Sequence, residues 1–339
     1  MLLLAGLMGI AGVGAASFAV FNLQETEDED PVPEEDVDIE TTGNLLDDTE
    51  GASGQDINGT DYADVLIGGP SDDVISGGDD LDQIGGYDGD DVLSGGAGND
   101  VIYGGFGVDS IFGGSENDQL HGNEDDDLLY GEIGFDTLFG HTGDDQLSGG
   151  EDDDSLVGSS GNDTLLGDGG HDALIGGLDN DSLWGGTGAD VLNGGAGNDV
   201  LNGLAVGKQG LQYADSDTGD YLNGGGGDDT IIAGNDDIVT GGEGSDDILL
   251  GDWISQGQEA EITDYDASED SLMLVWDDMM KGATEPNVEV APDEHDNEVM
   301  HVLMNGKSVA EVYGDPNLNP SDITIIPLSS ALIVNLQAA

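Results

Sequence analysis

Residues Gly95–Phe112 read GGAGNDVIYGGFGVDSIF. They are two nine-residue phrases of the form G-G-x-G-x-D-x-I-x laid end to end. Each phrase has a glycine-rich half able to turn and a three-residue half, centred on an aliphatic side chain, able to form a strand. The phrase repeats in both directions from this stretch. From Gly59 to Asn202, sixteen nonapeptides run in phase without an insertion. Position 1 is Gly in all of them. Position 6 is Asp in all of them: Asp64, Asp73, Asp82, Asp91, Asp100, Asp109, Asp118, Asp127, Asp136, Asp145, Asp154, Asp163, Asp172, Asp181, Asp190 and Asp199. Position 8 is Leu or Ile throughout, from Leu66 to Leu201. Such a period marks a stacked repeat architecture.

After Asn202 the register breaks, and residues 203–214 (GLAVGKQGLQYA) read as an inserted loop. The phrase returns with Asp220 and Leu222, then Asp229 and Ile231. A shortened turn is read as supplying Asp236 and Ile238, and a last phrase supplies Asp246 and Ile248. The array is expected over residues 58–253. Positions 2 and 4 are looser. Gly holds both in the phrases starting at Gly95, Gly104, Gly185 and Gly194, whereas position 4 is acidic at Asp80, Glu116, Asp125, Asp152 and Asp179. Asp tolerates a left-handed backbone better than most residues, so these turns are expected to keep their shape at some cost. Tyr62, at position 4 of the first phrase, fits worst, and fraying is expected there.

The 339 residues carry 75 Asp and Glu against three basic side chains, Lys208, Lys281 and Lys307, for a net charge of -72. That sign excludes nucleic acid as a partner, since phosphate binding requires the opposite charge. With 60 glycines and 5% aromatic residues, an ordinary packed core is poorly supplied. An acidic disordered chain has the same composition, but disorder requires no register, and the unbroken phase rejects it. The absence of cysteine rules out disulfides and thiolate metal sites.

In a strand, neighbouring side chains face opposite ways, so position 8 points to one side and positions 7 and 9 to the other. If two phrases make one coil, each Asp lies about 4.8 Å from its counterpart two phrases away. Two carboxylates at that separation repel by roughly 3–4 kcal/mol at an effective dielectric near 20. Only Lys208 lies within the array, so the counter-charge must come from outside the chain. Carboxylate and carbonyl oxygens suit hard cations. Calcium takes 6–8 such ligands in flexible geometry, whereas magnesium tends to keep its waters.

The phrases GGAGNDVIY, GGFGVDSIF, GGTGADVLN and GGAGNDVLN closely resemble the nonapeptide of RTX, or hemolysin-type, calcium-binding repeat proteins. The resemblance spans Gly59 to Trp253. It implies an all-β fold: a right-handed parallel β-roll holding multiple Ca2+ ions between successive turns. It also implies export of the unfolded chain through a type I secretion machinery, with folding triggered by extracellular calcium. Carried over by position, the sixteen aspartates above, together with Asp220, Asp229 and Asp246, supply the carboxylate ligands. Loop glycines such as Gly96 and Gly98 supply carbonyls. A turn lacking glycine at positions 2 and 4, such as the one at Gly122, is expected to bind weakly or not at all.

The flanks differ. Residues 1–23 carry no charged side chain, and three readings stand: a membrane span, a signal peptide that lacks the usual basic start, or neither. Residues 24–57 read as an acidic disordered tether. Residues 254–339 have less glycine and alternating runs such as MHVLMN, and read as a small β-rich capping domain and secretion region. No enzyme is expected. His121, His141 and His171 occupy variable repeat positions and are expected to be solvated. HDNEVMH, which contains His295 and His301, lacks the H-E-x-x-H spacing. GSSGND near Gly158 is not a nucleophile motif. The expectation is a non-enzymatic, extracellular or cell-surface calcium-binding protein. The alternatives are a calcium-binding module of an extracellular enzyme and a membrane-tethered adhesin.

Overall fold

The computed structural model describes residues 45–47, 54–205, 219–279, 282–296 and 298–331. The span or signal expected at residues 1–23 lies outside them, as does most of the inserted loop. No helix among the described residues is long and apolar enough to cross a membrane.

Through the repeats, successive strands alternate between two sheets, of 15 and 13 strands in all, and pair in parallel within each. Within each sheet, partners in the regular region are one coil, or two phrases, apart: Ile84 pairs with Ile102, and Ile75 with Leu93. The chain is therefore a parallel β-solenoid in which two phrases make one coil. The strands are longer than the three residues expected. Val92–Ala97 runs through positions 7 to 9 and on into positions 1 to 3 of the next phrase. Alternation continues across that join, so Leu93 and Gly95 are buried while Ser94 between them faces outward and is half-buried. The inward Leu and Ile side chains at position 8, from Leu66 to Ile248, are essentially inaccessible and form one continuous core.

Most turns keep a left-handed backbone at positions 2 and 4 whether or not glycine is present. At position 2, Asn123, Glu132 and His141 have φ of 89°, 78° and 80°; at position 4, Glu116 and Asp125 have φ of 75° and 74°. A left-handed backbone costs roughly 1–2 kcal/mol for a residue with a β-carbon, so the stacked turn over-rides local preference.

Three boundaries differ from the sequence reading. At the N-terminal end, Leu45–Asp47 pairs with Val65–Ile67 and Asp56–Asn58 with Val74–Ser76, so β-pairing begins inside the stretch expected to be a tether. Ile57 sits nine residues before Leu66 and extends the apolar ladder. Gln55 replaces the position-6 aspartate there, and its backbone N–H donates to Asp73 Oδ1 at 2.7 Å. In the shortened phrase, the inward residues are Asp237 and Val239, while Asp236 and Ile238 are exposed. The missing residue is taken from the turn, because the strand must keep its register with Tyr221–Gly226. The inserted loop only widens the pairing interval, and Leu192 meets Leu222 across it.

Beyond Trp253 both sheets continue. Ala260–Ile262 and Lys307–Tyr313 extend the larger sheet in parallel, and Ser271–Trp276 and Ile323–Pro327 extend the smaller. Val288–Pro292 and Val299–Met304 add antiparallel strands at the end of the larger sheet. The β-rich C-terminal region is thus built onto the open end of the roll and shares its ladders. Buried Trp253, Ile254 and Tyr265 carry the core into it.

Candidate metal centres along the turns

Each position-6 aspartate lies at the foot of a strand, with its side chain turned inward under the glycine turn. All are buried, at 0–4% exposure. One carboxylate oxygen is committed to the backbone of the preceding coil. Asp82 N–H donates to Asp100 Oδ1 at 2.7 Å, and Asp100 N–H donates to Asp118 Oδ1 at 2.8 Å. The chain of bonds crosses the insertion, with Asp190 N–H donating to Asp220 Oδ1 at 2.8 Å. The other oxygen, Oδ2, has no hydrogen-bond partner in any aspartate of the regular phrases from Asp73 to Asp199, nor in Asp229 and Asp246. Buried polar atoms are almost always paired, so an unpaired oxygen repeated at every ninth residue is a property of the design.

The invariant glycine at position 1 shows what surrounds that oxygen. A β-carbon on Gly68 would lie 2.5 Å from Asp73 Oδ2 and 2.7 Å from the carbonyl oxygen of Gly86, one coil on. A β-carbon on Gly95 would strike Asp100 Oδ2 and lie 2.7 Å from the Gly113 carbonyl oxygen. Such turns gather a carboxylate oxygen and a carbonyl oxygen in a space that only glycine leaves open. Both atoms are acceptors. Hard oxygen donors without a proton donor among them suit a calcium-type cation.

Electrostatics agree. Desolvation, opposed by the backbone N–H and reinforced by neighbouring carboxylates, pushes Asp82, Asp91, Asp136 and Asp163 up to about 6. The same causes bring Asp109, Asp145, Asp154, Asp181 and Asp229 to about 7. Asp118, Asp127 and Asp172 reach about 8. A carboxylate in these turns lacks a counter-charge within the chain.

Two irregular turns act as internal controls. Asp64 Oδ2 accepts from Thr60 N–H at 2.6 Å and from Thr60 Oγ1 at 2.9 Å. Asp237 Oδ2 accepts from Gly234 N–H at 2.6 Å. In these two turns the chain satisfies its own carboxylate, so Asp64 differs from the other candidates. The turn stays closed at that end despite Tyr62, which is largely exposed. The turn at Gly122 keeps the geometry of its neighbours, with Asp127 Oδ2 unpartnered. The Gly96 carbonyl lies against Gly114 of the next coil, and position-1 carbonyls such as that of Gly113 lie beside the space next to the carboxylate, a position the sequence reading did not single out.

Asp237 and Asp270 were also missed. Asp237 was legible by counting back from Gly241, whereas Asp270, whose Oδ1 accepts from Asp246 N–H at 3.2 Å, lies beyond the period. No group of three or more His, Asp or Glu side chains that could hold a metal occurs among the described residues. Each turn instead offers one carboxylate among backbone oxygens, a ligand class calcium accepts readily.

The histidines are not all solvated. His121 is half-buried and stacked between Tyr103 and Phe139, with ring centroids 4.6 and 4.9 Å away, and its Nδ1 lies 2.9 Å from His141 Nε2. In the cap, His301 Nε2 lies 3.0 Å from Asp293 Oδ2.

Fold and site together define a class: an acidic parallel β-solenoid with a cation-seeking turn in each phrase. The profile of the RTX calcium-binding nonapeptide repeat matches residues 51–84, 58–93, 85–120, 121–156, 148–183, 175–205 and 216–248, more than half of the chain. The chain belongs to this calcium-binding family. No curated protein matches it.

Proposed function

We propose that this is a secreted or cell-surface protein, non-enzymatic, whose folding is driven by calcium bound between the turns of the roll. The observation that carries the reading is the row of buried, unpartnered Oδ2 atoms in the regular turns, set against the two irregular turns that satisfy the same atom internally. The position-6 aspartates would hold the ions, with position-1 carbonyls such as those of Gly86 and Gly113 beside them. A bound calcium supplies the positive charge that the turns lack. The chain's own part is to fix Oδ1 by a backbone N–H, to present Oδ2 inward, and to clear space with glycine. Extracellular calcium stands near the affinity of such modules, about 10⁻⁴–10⁻³ M, which favours a role outside the cell.

The test is far-UV circular dichroism of the full chain during a calcium titration at neutral pH, with magnesium as control. A cooperative gain of β-signal near 0.1–1 mM calcium, and none with magnesium, is the expected result. A spectrum already folded in chelator and unmoved by calcium rejects calcium-driven folding.

A further inference from the structure

The charge of the roll lies mostly in its turns. On the outer face of the 15-stranded sheet, the columns at positions 7, 9 and 2 contain no Asp, Glu or Lys from Val65 to Gly242. The opposite face is interrupted by Glu132 and by Asp168, which accepts from Ser148 Oγ at 2.7 Å. In a chain with 75 acidic residues, these three columns form a distinct surface, bordered by Asp88, Glu124 and Glu243 at position 3 and by Glu261 where the sheet continues beyond the roll. It is also apolar. Tyr103, Phe139 and Val157 are half-buried on it, while Ile175, Val191 and Tyr221 are 43%, 49% and 44% exposed. Its two histidines add no charge, since burial pushes His121 down to about 4 and His141 in the same direction.

We infer that two copies of the chain pack face to face through this surface. Its size fits. Ten strands at about 4.8 Å spacing, over the five residues from position 7 to position 2, make a face roughly 45 Å by 16 Å, or about 700 Å². A standard interface buries about 800 Å² per partner. Its chemistry fits too. An uncharged sheet face can meet its own copy across a two-fold axis, and two such sheets pack about 10 Å apart. The acidic turns then lie along the margins of the contact, outside it. A charged partner finds nothing to pair with on this face. The aromatic rings are stacked on one another, Tyr103 on His121 at an interplanar angle of 6°, so they present edges rather than the open ring faces a sugar would stack on. The inference rests on the solenoid alone and is independent of where the protein works.

Sedimentation equilibrium of the full-length, calcium-loaded chain tests it, from about 1 to 100 µM, the range in which a moderately stable dimer dissociates. The wild type is expected to dimerise. The V157E/I175E variant, and separately Val191→Glu, should raise the dissociation constant at least about tenfold with an unchanged β-spectrum. L166E/W184E on the opposite face should leave it unaltered. A wild type that is monomeric at the highest concentration overturns the inference. Hydrogen-exchange protection of the face in that monomer would assign it to another segment of the same chain. Association that survives both V157E/I175E and V191E also overturns it, by placing the contact elsewhere, residues 1–23 included.

Discussion

Gly95 shows why the first residue of the phrase cannot vary. Its backbone is not left-handed, so conformation alone would admit alanine. What excludes a side chain is the carboxylate of Asp100, folded over that point beside the Gly113 carbonyl. Gly95→Ala is expected to cost about 1–3 kcal/mol, the usual price of overpacking, in denaturant unfolding of the calcium-loaded protein. Gly226→Ala, with nothing within 4 Å of the new methyl, should stay within about 0.5 kcal/mol of wild type. Equal losses at the two sites would sink the steric account. Asp145→Asn isolates the charge. It keeps the Oδ1 acceptor for Asp127 N–H while removing the anion. Calcium stoichiometry by titration calorimetry should fall, and the metal-free form should gain stability at pH 7. A metal-free form that instead loses stability would mean that the buried charge is already balanced within the fold.

At the scale of the strand and its turn, two side-chain ladders run in opposite senses. At position 6 the N–H of the earlier coil donates to the later carboxylate. At position 5 the later N–H donates to the earlier side chain, as Asp144 N–H does to Asp126 Oδ1 and Asn162 N–H to Asp144 Oδ1. Ala189 N–H uses His171 Nδ1 in the same way. The position-5 ladder is exposed, so each of its bonds competes with water and contributes little. Asn162→Ala, which removes the acceptor for Asn180 N–H, should cost no more than about 1 kcal/mol. Leu165→Ala, which empties a fully buried rung, should cost about 2–5 kcal/mol. Denaturation midpoints of the two variants with calcium present make the comparison, and a larger loss at Asn162 would reverse the ranking of the ladders. The position-5 ladder is hard to read in advance, because Asp, Asn, His, Leu, Val and Phe all occur there.

For the molecule as a whole, the buried carboxyls set a pH dependence with a definite sign. Desolvation raises them in the folded state, to about 8 for Asp118, Asp127 and Asp172, so the folded chain binds protons more tightly than the unfolded one. The metal-free fold is therefore most stable below the ordinary carboxyl range near 4 and loses stability as pH rises through about 6–8. In chelator, β-signal should be present near pH 4, disappear toward pH 8, and return at pH 8 on adding calcium. A chelated chain equally folded at both pH values would show that proton and calcium are not alternative counter-charges here. The same scale shows where the charge of -72 goes: most acids of the roll are sorted to the turns, and the larger sheet carries core on one side and uncharged columns on the other.

The coil, its period and the inward pair of Asp100 and Leu93 were legible because a stacked repeat writes its contacts at a fixed interval in the chain. Each rung meets only its neighbours, so one phrase determines the next. Tertiary structure decided what the interval does not carry. It chose Asp237 over Asp236, because a shortened turn must still deliver its strand in register with Tyr221. It separated Asp64 from its fellows, because Thr60 reaches its carboxylate. It joined Leu45–Asp47 and the C-terminal strands to the ladders, because an open sheet edge and an exposed core rung recruit whatever strand follows, periodic or not. The free Oδ2 and its neighbouring carbonyl belong to this second group. Residues eighteen apart meet at that point only once the coils have stacked.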